Sequence, residues 1–315
     1  MAGLVSIRNL RVRFDGNEAL RGVDFDVARG EAVGLVGESG CGKSVTWLAA
    51  LGLLPGKATI TGSVMLDGHE LLGAPASQLD HVRGGRIAMI FQDPASALNP
   101  VHRVGRQVTE ALRLHRGMDG AAARAEARRL FDLVGIPDAG RRIEAYPHEM
   151  SGGQNQRVMI AMALAGQPEL LIADEPTTAL DATIQAQILD LLRRLQAETG
   201  MALVLISHDL GVVAEMCTRV GVMYGGRIIE EAAEADLFAR PGHPYTQGLL
   251  AARPDMAGPR RRLEAINGGV PEPWNFPPGC AFAPRCTVMT AACDAEVPAL
   301  HTIATGHRAA CWRAG

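Results

Sequence analysis

A glycine-rich segment, Gly37-Glu38-Ser39-Gly40-Cys41-Gly42-Lys43-Ser44, has the residue types and spacing needed to hold phosphate. Glycines let backbone N–H groups turn inward around phosphate oxygens. Lys43 can reach the β- and γ-phosphates of a nucleotide, and the Ser44 hydroxyl can ligate Mg²⁺. The segment follows an apolar run at 32–36 and precedes a helix predicted over 44–54, whose N-terminus favours anions. The predicted nucleotide-binding residues are Gly37, Ser39, Gly40, Cys41, Gly42, Lys43, Ser44 and Val45.

Two adjacent acidic residues, Asp174 and Glu175, follow a second apolar run at 170–173. A carboxylate at the end of such a strand can hold Mg²⁺, directly or through water. The next carboxylate can polarise an attacking water as a general base. Two acids at a strand end are common by themselves, but the upstream phosphate loop favours a metal-assisted hydrolytic role for this pair.

A second glycine-containing segment, Ser151-Gly152-Gly153-Gln154, precedes a helix predicted over 156–164. A serine N-cap followed by two glycines makes a second anion site at a helix start. One chain with two phosphate-binding helix starts suggests that two chains each supply half of a site.

These motifs, in this order, closely resemble those of ABC ATPases, in which the signature sequence of one subunit contacts the γ-phosphate on the other. The resemblance implies roles for four further residues. Gln92 would contact Mg²⁺ and face a membrane subunit, and Asp181, after Ala179-Leu180, would lie at the dimer interface. His208 would sense the γ-phosphate and Phe14 would stack on adenine. Taken singly, His208 is more typical of a structural histidine and Phe14 of a core residue.

Longer stretches resemble the oligopeptide/dipeptide importer subfamily, and in particular the first of its two ATPases. They are 86–94, 98–100, 146–149, 174–181, 243–246 and 249–250. Met150 and Asn155 depart from the usual pattern but remove no phosphate ligand. The resemblance implies ATP-driven import of di- or oligopeptides, with nickel or glutathione import as alternatives.

The resemblance also implies partners. They are a second ABC ATPase, in a heterodimer in preference to a homodimer, two integral-membrane permease subunits and an external substrate-binding protein. The expected location is the cytoplasmic face of the inner membrane, as a peripheral subunit. ATP and Mg²⁺ are the implied cofactors.

The elements that must position these residues predict an α/β fold. Short runs at 4–7 and 23–27 have the alternation of antiparallel strands, whereas those at 32–36, 170–173 and 202–206 are continuously apolar. Continuous apolar strands separated by helices predict a parallel sheet covered on both faces.

The expected organisation is that of a P-loop ABC ATPase with four parts. A RecA-like parallel-sheet core with an N-terminal antiparallel β-subdomain would occupy 1–85 and 166–235. A helical subdomain with the signature would occupy 86–165, including an alanine-rich helix at 121–134. From 236 proline and glycine become dense, which predicts a small cysteine-containing C-terminal extension over 236–315.

Four of the six cysteines, Cys280, Cys286, Cys293 and Cys311, lie in this extension. In a reducing compartment such a set of cysteines favours a metal site over disulfides. The spacing is not that of a C-x2-C zinc ribbon. The subfamily resemblance through 278–286 implies a [4Fe–4S] cluster, with Zn²⁺ as the alternative; reduced structural cysteines and disulfides stay open.

Composition and the absence of long apolar runs narrow the functional class of the protein further. The net charge of −3 gives no general attraction to nucleic acid, so no nucleic-acid partner is expected. No apolar run approaches the ~20 residues of a membrane helix, and Met1–Leu10 lacks the pattern of a signal peptide. Three alternatives remain: a soluble ABC ATPase of DNA repair or translation, an exporter ATPase, and a regulatory ATPase without a transport role. A single phosphate loop and signature, no basic arm and the segment at 243–245 disfavour the first two.

Overall fold

The computed structural model describes residues 3–178, 180–252 and 265–314. The chain forms two compact units. The first comprises Met1–Ala28, Ala32–Gly73 and Ile206–Gly315; the second comprises Arg29–Glu31 and Ala74–Leu205. Each unit therefore combines segments that are distant in sequence.

The strands, in chain order, are β1 (Val5–Phe14), β2 (Asn17–Val27), β3 (Ala32–Val36), β4 (Ala58–Leu66), β5 (His69–Glu70), β6 (Ile87–Ile90), β7 (Leu170–Asp174), β8 (Ala202–Ser207), β9 (Arg219–Tyr224), β10 (Arg227–Ala233), β11 (His301–Ala304) and β12 (His307–Ala309). The α-helices are α1 (Lys43–Ala50), α2 (Ala76–Val82), α3 (Pro94–Ala97), α4 (Val104–Arg116), α5 (Gly120–Leu133), α6 (Ala139–Arg142), α7 (Gly152–Leu164), α8 (Ala182–Thr199), α9 (Leu210–Met216), α10 (Glu234–Ala239), α11 (Pro244–Ala251) and α12 (Ala291–Ala295). Short 3₁₀ turns occupy Pro147–Glu149 and Ala283–Arg285.

The first unit begins with an antiparallel sheet of order β2-β1-β4-β5. β1 and β2 form a hairpin whose turn uses positive φ at Asp15 and Gly16. Inward residues such as Val5, Ile7, Leu10 and Val12 are fully buried, while Ser6, Arg8, Asn9 and Arg11 between them are more exposed. This alternation confirms the antiparallel N-terminal subdomain that the sequence predicts.

A second sheet of the first unit has the order β11-β12-β10-β9-β3. β3 pairs with β9 in parallel, and its five residues are all buried. β10, β12 and β11 continue the sheet as antiparallel strands. The end of the predicted C-terminal extension therefore adds strands to the sheet that carries the phosphate loop.

In the second unit the strand order is β8-β7-β6, with β6 and β7 parallel. β6 lies within the range expected to be helical. Its four residues form an uninterrupted apolar run, and three of them are buried against neighbouring elements, which suits a strand. The remainder of 91–165 is largely helical, with α4, α5 and α7 packed together. The buried parallel strands of both units confirm the predicted parallel-strand core.

Two helix boundaries differ from expectation. α1 ends at Ala50, not at residue 54, because Gly52 adopts a positive φ of 61° and closes the helix with a turn. α7 begins at Gly152, four residues before the predicted start, because the Ser151 cap includes both glycines in its first turn. None of the helices that the structure describes is long and apolar enough to cross a membrane.

Candidate active site

The phosphate loop lies in the first unit, between β3 and α1. Gly37 and Gly42 have φ angles of 152° and 104°, a region that favours glycine. A Cβ atom on Gly37 would lie 2.3 Å from the carbonyl oxygen of Met223, and one on Gly42 would lie 2.6 Å from Cδ2 of Leu20. These two glycines are therefore required by both backbone conformation and packing.

Lys43 begins α1 and is 6% exposed. Its Nζ donates to the carbonyl oxygens of Gly37, at 2.7 Å, and Glu38, at 3.0 Å. A third contact, to Sγ of Cys41, is 3.7 Å long. An ammonium has three donors and sulfur is a weak acceptor, so a phosphate oxygen can replace the sulfur. The loop thus holds a cation at its centre and leaves one donor for a ligand.

The other predicted loop residues surround the start of α1. Ser44 and Val45 are half-buried in the first helical turn, and no acidic side chain lies in that turn. Gly40 is exposed with φ 80°, and a Cβ there would meet no atom of the described residues within 4 Å, so it is the backbone conformation that demands glycine. A positive helix end without a carboxylate suits a polyphosphate. Burial raises the pKa of the Cys41 thiol.

Phe14 and His208 belong to the same unit as the loop. Phe14 is half-buried at the end of β1, where it pairs with Asn17 across the hairpin. His208 is exposed and directly follows β8. The next residue, Asp209, caps α9 through a 2.7 Å bond from the Gly211 N–H, which fixes the chain immediately after His208.

The second unit carries the predicted general base. Asp174 is buried at the end of β7, and Glu175 follows with a positive φ of 45°. Oε2 of Glu175 accepts hydrogen bonds from Nε2 of Gln92, at 3.0 Å, and from the hydroxyl of Thr178, at 2.9 Å. A non-glycine residue in this conformation is strained and is held only where its surroundings demand it. The structure therefore brings Gln92 and Glu175 together and fixes the carboxylate.

Thr178, whose hydroxyl donates to the Glu175 carboxylate, was not predicted from the sequence as a site residue. The only available signal was its place in the Thr-Thr pair that follows Glu175. Three residues after the acid, its hydroxyl can reach back to the carboxylate across one turn, and the Thr178 N–H donates to the Glu175 carbonyl at 3.2 Å.

The signature segment forms the exposed N-terminus of α7, also in the second unit. The Ser151 hydroxyl accepts from the Gln154 N–H at 3.3 Å, and the Gln154 side chain accepts from the Ser151 N–H at 3.1 Å. This reciprocal pair is a capping box. A Cβ on Gly153 would lie 2.7 Å from Cγ2 of Ile184, whereas one on Gly152 would meet, among the described residues, only Leu180, at 3.8 Å. Gly153 is therefore required by packing against α8, and Gly152 is free to face outward.

Asp181 caps α8. Its Oδ1 accepts from the N–H groups of Thr183, at 3.1 Å, and Ile184, at 3.0 Å, and the residue is exposed. Ala179, part of the same predicted loop, lies outside the described residues.

The four C-terminal cysteines line one small cavity in the first unit, together with His243, Phe282 and Trp312 among others. All four are free thiols, and burial raises the pKa of Cys280 and Cys286. Within the described ranges, no three His, Cys, Asp or Glu side chains are arranged to hold a metal ion. The cysteines thus share a cavity, as a common site requires, but the structure does not form the ion-binding arrangement that the sequence predicts.

The phosphate loop, the strand-end acids and the signature together define a P-loop ATPase of the ABC class. The sequence model of the family described as "ABC transporter" matches residues 20–178. The model of a second family, "Oligopeptide/dipeptide transporter, C-terminal region", matches residues 229–293. The chain belongs to the ABC transporter family, as an ATP-binding ATPase component.

Relatives with similar lengths support this assignment. The "Probable peptide ABC transporter ATP-binding protein y4tR" of Sinorhizobium fredii is 53% identical over 98% of this chain and 95% of its own length. The dipeptide transport ATP-binding protein DppD of Bacillus subtilis is 46% identical over 99% of this chain and 95% of its own. Among solved structures, the dimeric ATP-binding cassette MJ0796, in a post-hydrolysis state with ADP and Pi, is 29% identical, with a TM-score of 0.65 over 73% of this chain and 98% of that one.

Proposed function

We propose that this chain is the ATP-hydrolysing subunit of an ABC importer for di- or oligopeptides. The observation that carries the proposal is the buried Lys43 ammonium, held at the centre of the phosphate loop by two loop carbonyls. The peptide cargo follows from relatives that span almost the whole chain and are named for peptide or dipeptide transport.

We assign separate parts in hydrolysis to the nucleotide-binding residues and to the residues around Glu175. Gly37 and the loop residues 39–45 bind the phosphates of ATP, Phe14 stacks on the adenine and His208 contacts the γ-phosphate. Glu175 polarises the attacking water, and its carboxylate is oriented for this by Gln92 and Thr178.

Oxygen donors suit Mg²⁺, and the proposed ligands are the Ser44 hydroxyl, the Asp174 carboxylate and the Gln92 amide. Nε2 of Gln92 donates to Glu175, so the amide oxygen is left for a cation. Bound Mg²⁺ would neutralise charge on the phosphates. The donor set therefore fits the ion that the family uses.

The signature is proposed to act on the ATP of a second ATPase subunit. The residues are Ser151, Gly152, Gly153 and Gln154, with Asp181 at the interface. Ser151 and Gly152 are exposed at the positive end of α7, so an incoming phosphate can reach them. A heterodimer is proposed in preference to a homodimer, bound to two permease subunits at the cytoplasmic face of the membrane.

The test is reconstitution with the two permease subunits, the second ATPase and the external binding protein. We expect ATP hydrolysis that rises when the binding protein carries a peptide, and no such rise when Glu175→Gln replaces the wild-type chain. Stimulation by a nickel chelate or glutathione, but by no peptide, would assign the cargo to the alternative class. ATP hydrolysis without response to any loaded binding protein would contradict the transport role.

The four cysteine thiols are further proposed to bind a [4Fe–4S] cluster, which would cross-link the short C-terminal segments. The supporting observation is that all four line one cavity and none is in a disulfide. Thiolates around a cubane ligate different irons, so they lie farther apart than ligands of one ion. Purification without oxygen should give a brown protein with about four irons per chain. Cys293→Ser should lose the iron and Cys217→Ser should keep it. A colourless protein that contains stoichiometric zinc would show that the cysteines bind Zn²⁺ and no cluster.

A further inference from the structure

The C-terminal segment contacts the phosphate loop at Glu38. The backbone N–H of Glu38 donates to the hydroxyl oxygen of Tyr245 at 2.8 Å. The Glu38 carboxylate accepts from both terminal nitrogens of Arg285, at 2.6 and 3.0 Å. Tyr245 is fully buried and the Arg285 side chain is 4% exposed. One residue of the loop is thus held at its main chain and at its side chain by residues more than 200 positions away.

Arg285 uses its remaining donors on neighbouring segments. Nε donates to the carbonyl of Asn267 at 2.9 Å, and one terminal nitrogen donates to the carbonyl of Gly268 at 3.1 Å. The other terminal nitrogen donates to the Tyr224 hydroxyl at 3.3 Å. The bond to Glu38 raises the pKa of Arg285 further above its ordinary value. A planar guanidinium that makes this many bonds cannot be replaced by an ammonium.

Aromatic packing fixes both groups that hold Glu38. The rings of Tyr224 and Tyr245 lie 4.6 Å apart between centroids, and the Phe282 ring lies 5.3 and 5.4 Å from them. Phe282 also lines the cysteine cavity. Phe282 therefore connects the packing around the four cysteines to Tyr245 and to Tyr224, over whose ring Arg285 lies.

Glu38 matters to the nucleotide for two reasons. Its carbonyl accepts from Lys43, so the orientation of the Glu38 peptide helps to place the ammonium. Its carboxylate is an anion within an anion-binding loop and would repel phosphates at short range. The bidentate pair with Arg285 neutralises that charge and holds the carboxylate on the side of the C-terminal segment.

We infer that Arg285 and Tyr245 are positioning residues for the phosphate loop, and that through them the folded residues 243–252 and 265–286 set the affinity of the loop for ATP. The inference rests on the proposed function only in taking ATP as the ligand of the loop. Because coupling between two sites is reciprocal, ATP in the loop must also stabilise the C-terminal segment.

The first test measures ATP binding and hydrolysis by the full chain. Arg285→Gln should weaken ATP binding about tenfold and raise KM similarly, with kcat changed by less than about twofold. The double variant Glu38→Gln/Arg285→Gln should recover most of the affinity, because the uncompensated carboxylate is gone. Arg308→Gln is the matched control, since Arg308 pairs with Glu231, away from the loop, and should leave Kd unchanged.

Hydrogen exchange provides the second test. ATP should slow exchange of backbone amides in 266–286 in the wild-type chain and in Arg308→Gln, but not in Arg285→Gln. If Arg285→Gln does not fold, Tyr245→Phe keeps the ring packing and removes only the acceptor of the Glu38 N–H, and should weaken ATP binding about threefold. The coupling would be overturned if Arg285→Gln and Tyr245→Phe bound ATP with the wild-type Kd, or if ATP protected 266–286 as well in Arg285→Gln as in the wild-type chain. Either result would leave the ATPase assignment intact. A wild-type chain that binds no ATP would instead refute the proposed function.

Discussion

The chain contains two glycine-rich helix starts that can bind phosphate, and they are built differently. The loop at 37–44 is tied into its unit: its lysine is buried, and Glu38 is held by Tyr245 and Arg285. The signature at 151–154 is exposed and satisfied by its own capping box. Both present a positive helix end, but the first is bonded to residues from distant parts of the chain, whereas the hydrogen bonds of the second are those of its own capping box.

The difference indicates where each ligand comes from. A loop whose lysine is buried and whose Glu38 is held by two distant residues can be organised for a nucleotide before any partner arrives. An exposed, locally capped helix start gains little from its own unit and is suited to a phosphate presented by another subunit. Variants that act on one helix start and spare the other therefore test the comparison directly.

The largest expected effect is on the chemical step. Glu175→Gln removes the proposed general base but keeps the side-chain volume, so ATP hydrolysis should fall about 10³-fold while ATP binding persists. Steady-state hydrolysis and nucleotide binding, measured on the same preparation, check this, and gel filtration should show a trapped closed dimer. Hydrolysis at the normal rate would exclude Glu175 as the base.

The next effect separates the two helix starts. Lys43→Ala removes the buried ammonium from the phosphate loop and should weaken ATP binding about 100-fold. Ser151→Ala removes only a cap at the exposed start, so ATP binding by the isolated chain should change less than about twofold, with hydrolysis in the assembled dimer reduced. Titration with a fluorescent ATP analogue measures both. Equal losses of binding in the two variants would contradict the comparison.

Glycine substitutions test the packing of the signature. Gly153→Ala places a methyl group 2.7 Å from Ile184 and should lower the free energy of unfolding by about 2 kcal/mol. Gly152→Ala, where the nearest contact is 3.8 Å, is the matched control and should cost less than about 0.5 kcal/mol. Urea unfolding of the full chain measures the free energy of unfolding of both variants. Equal destabilisation would mean that α7 and α8 do not require the close approach at Gly153.

The smallest effect is that of pH on the region around Tyr245, which holds the phosphate loop at Glu38. Burial lowers the pKa of His243, which caps α11 beside Tyr245, to about 4. The unfolded chain therefore binds a proton near pH 6.5 that the folded chain binds only near pH 4, so stability falls as pH falls through this window. Between pH 7 and 5.5 we expect a loss of about 1 kcal/mol from this group. His243→Asn, which can cap without titrating, should reduce the slope; an unchanged slope would show that other groups dominate.

Much of the fold and of the candidate site could be predicted from local patterns. The apolar run at 170–173, followed by two acids, predicted a strand that delivers them to its end, and β7 does so. The strand β6 was missed because it is short and lies among helical patterns, and only its pairing with β7 distinguishes it from a buried helix. Thr178 was missed because threonine near an acid is too common to carry a signal of its own.

What the sequence by itself determined is the chemistry that depends on near neighbours: the glycine spacing of the loop, the Ser151 cap with Gln154 three residues later, and the acids at a strand end. Each depends on bonds within a few residues, so spacing alone predicts it. Only the tertiary structure decided that Arg285 lies against Glu38, 247 residues away. No periodicity records such a pair, because it exists only when the C-terminal segment folds back and the aromatic rings of Tyr224, Tyr245 and Phe282 fix its position.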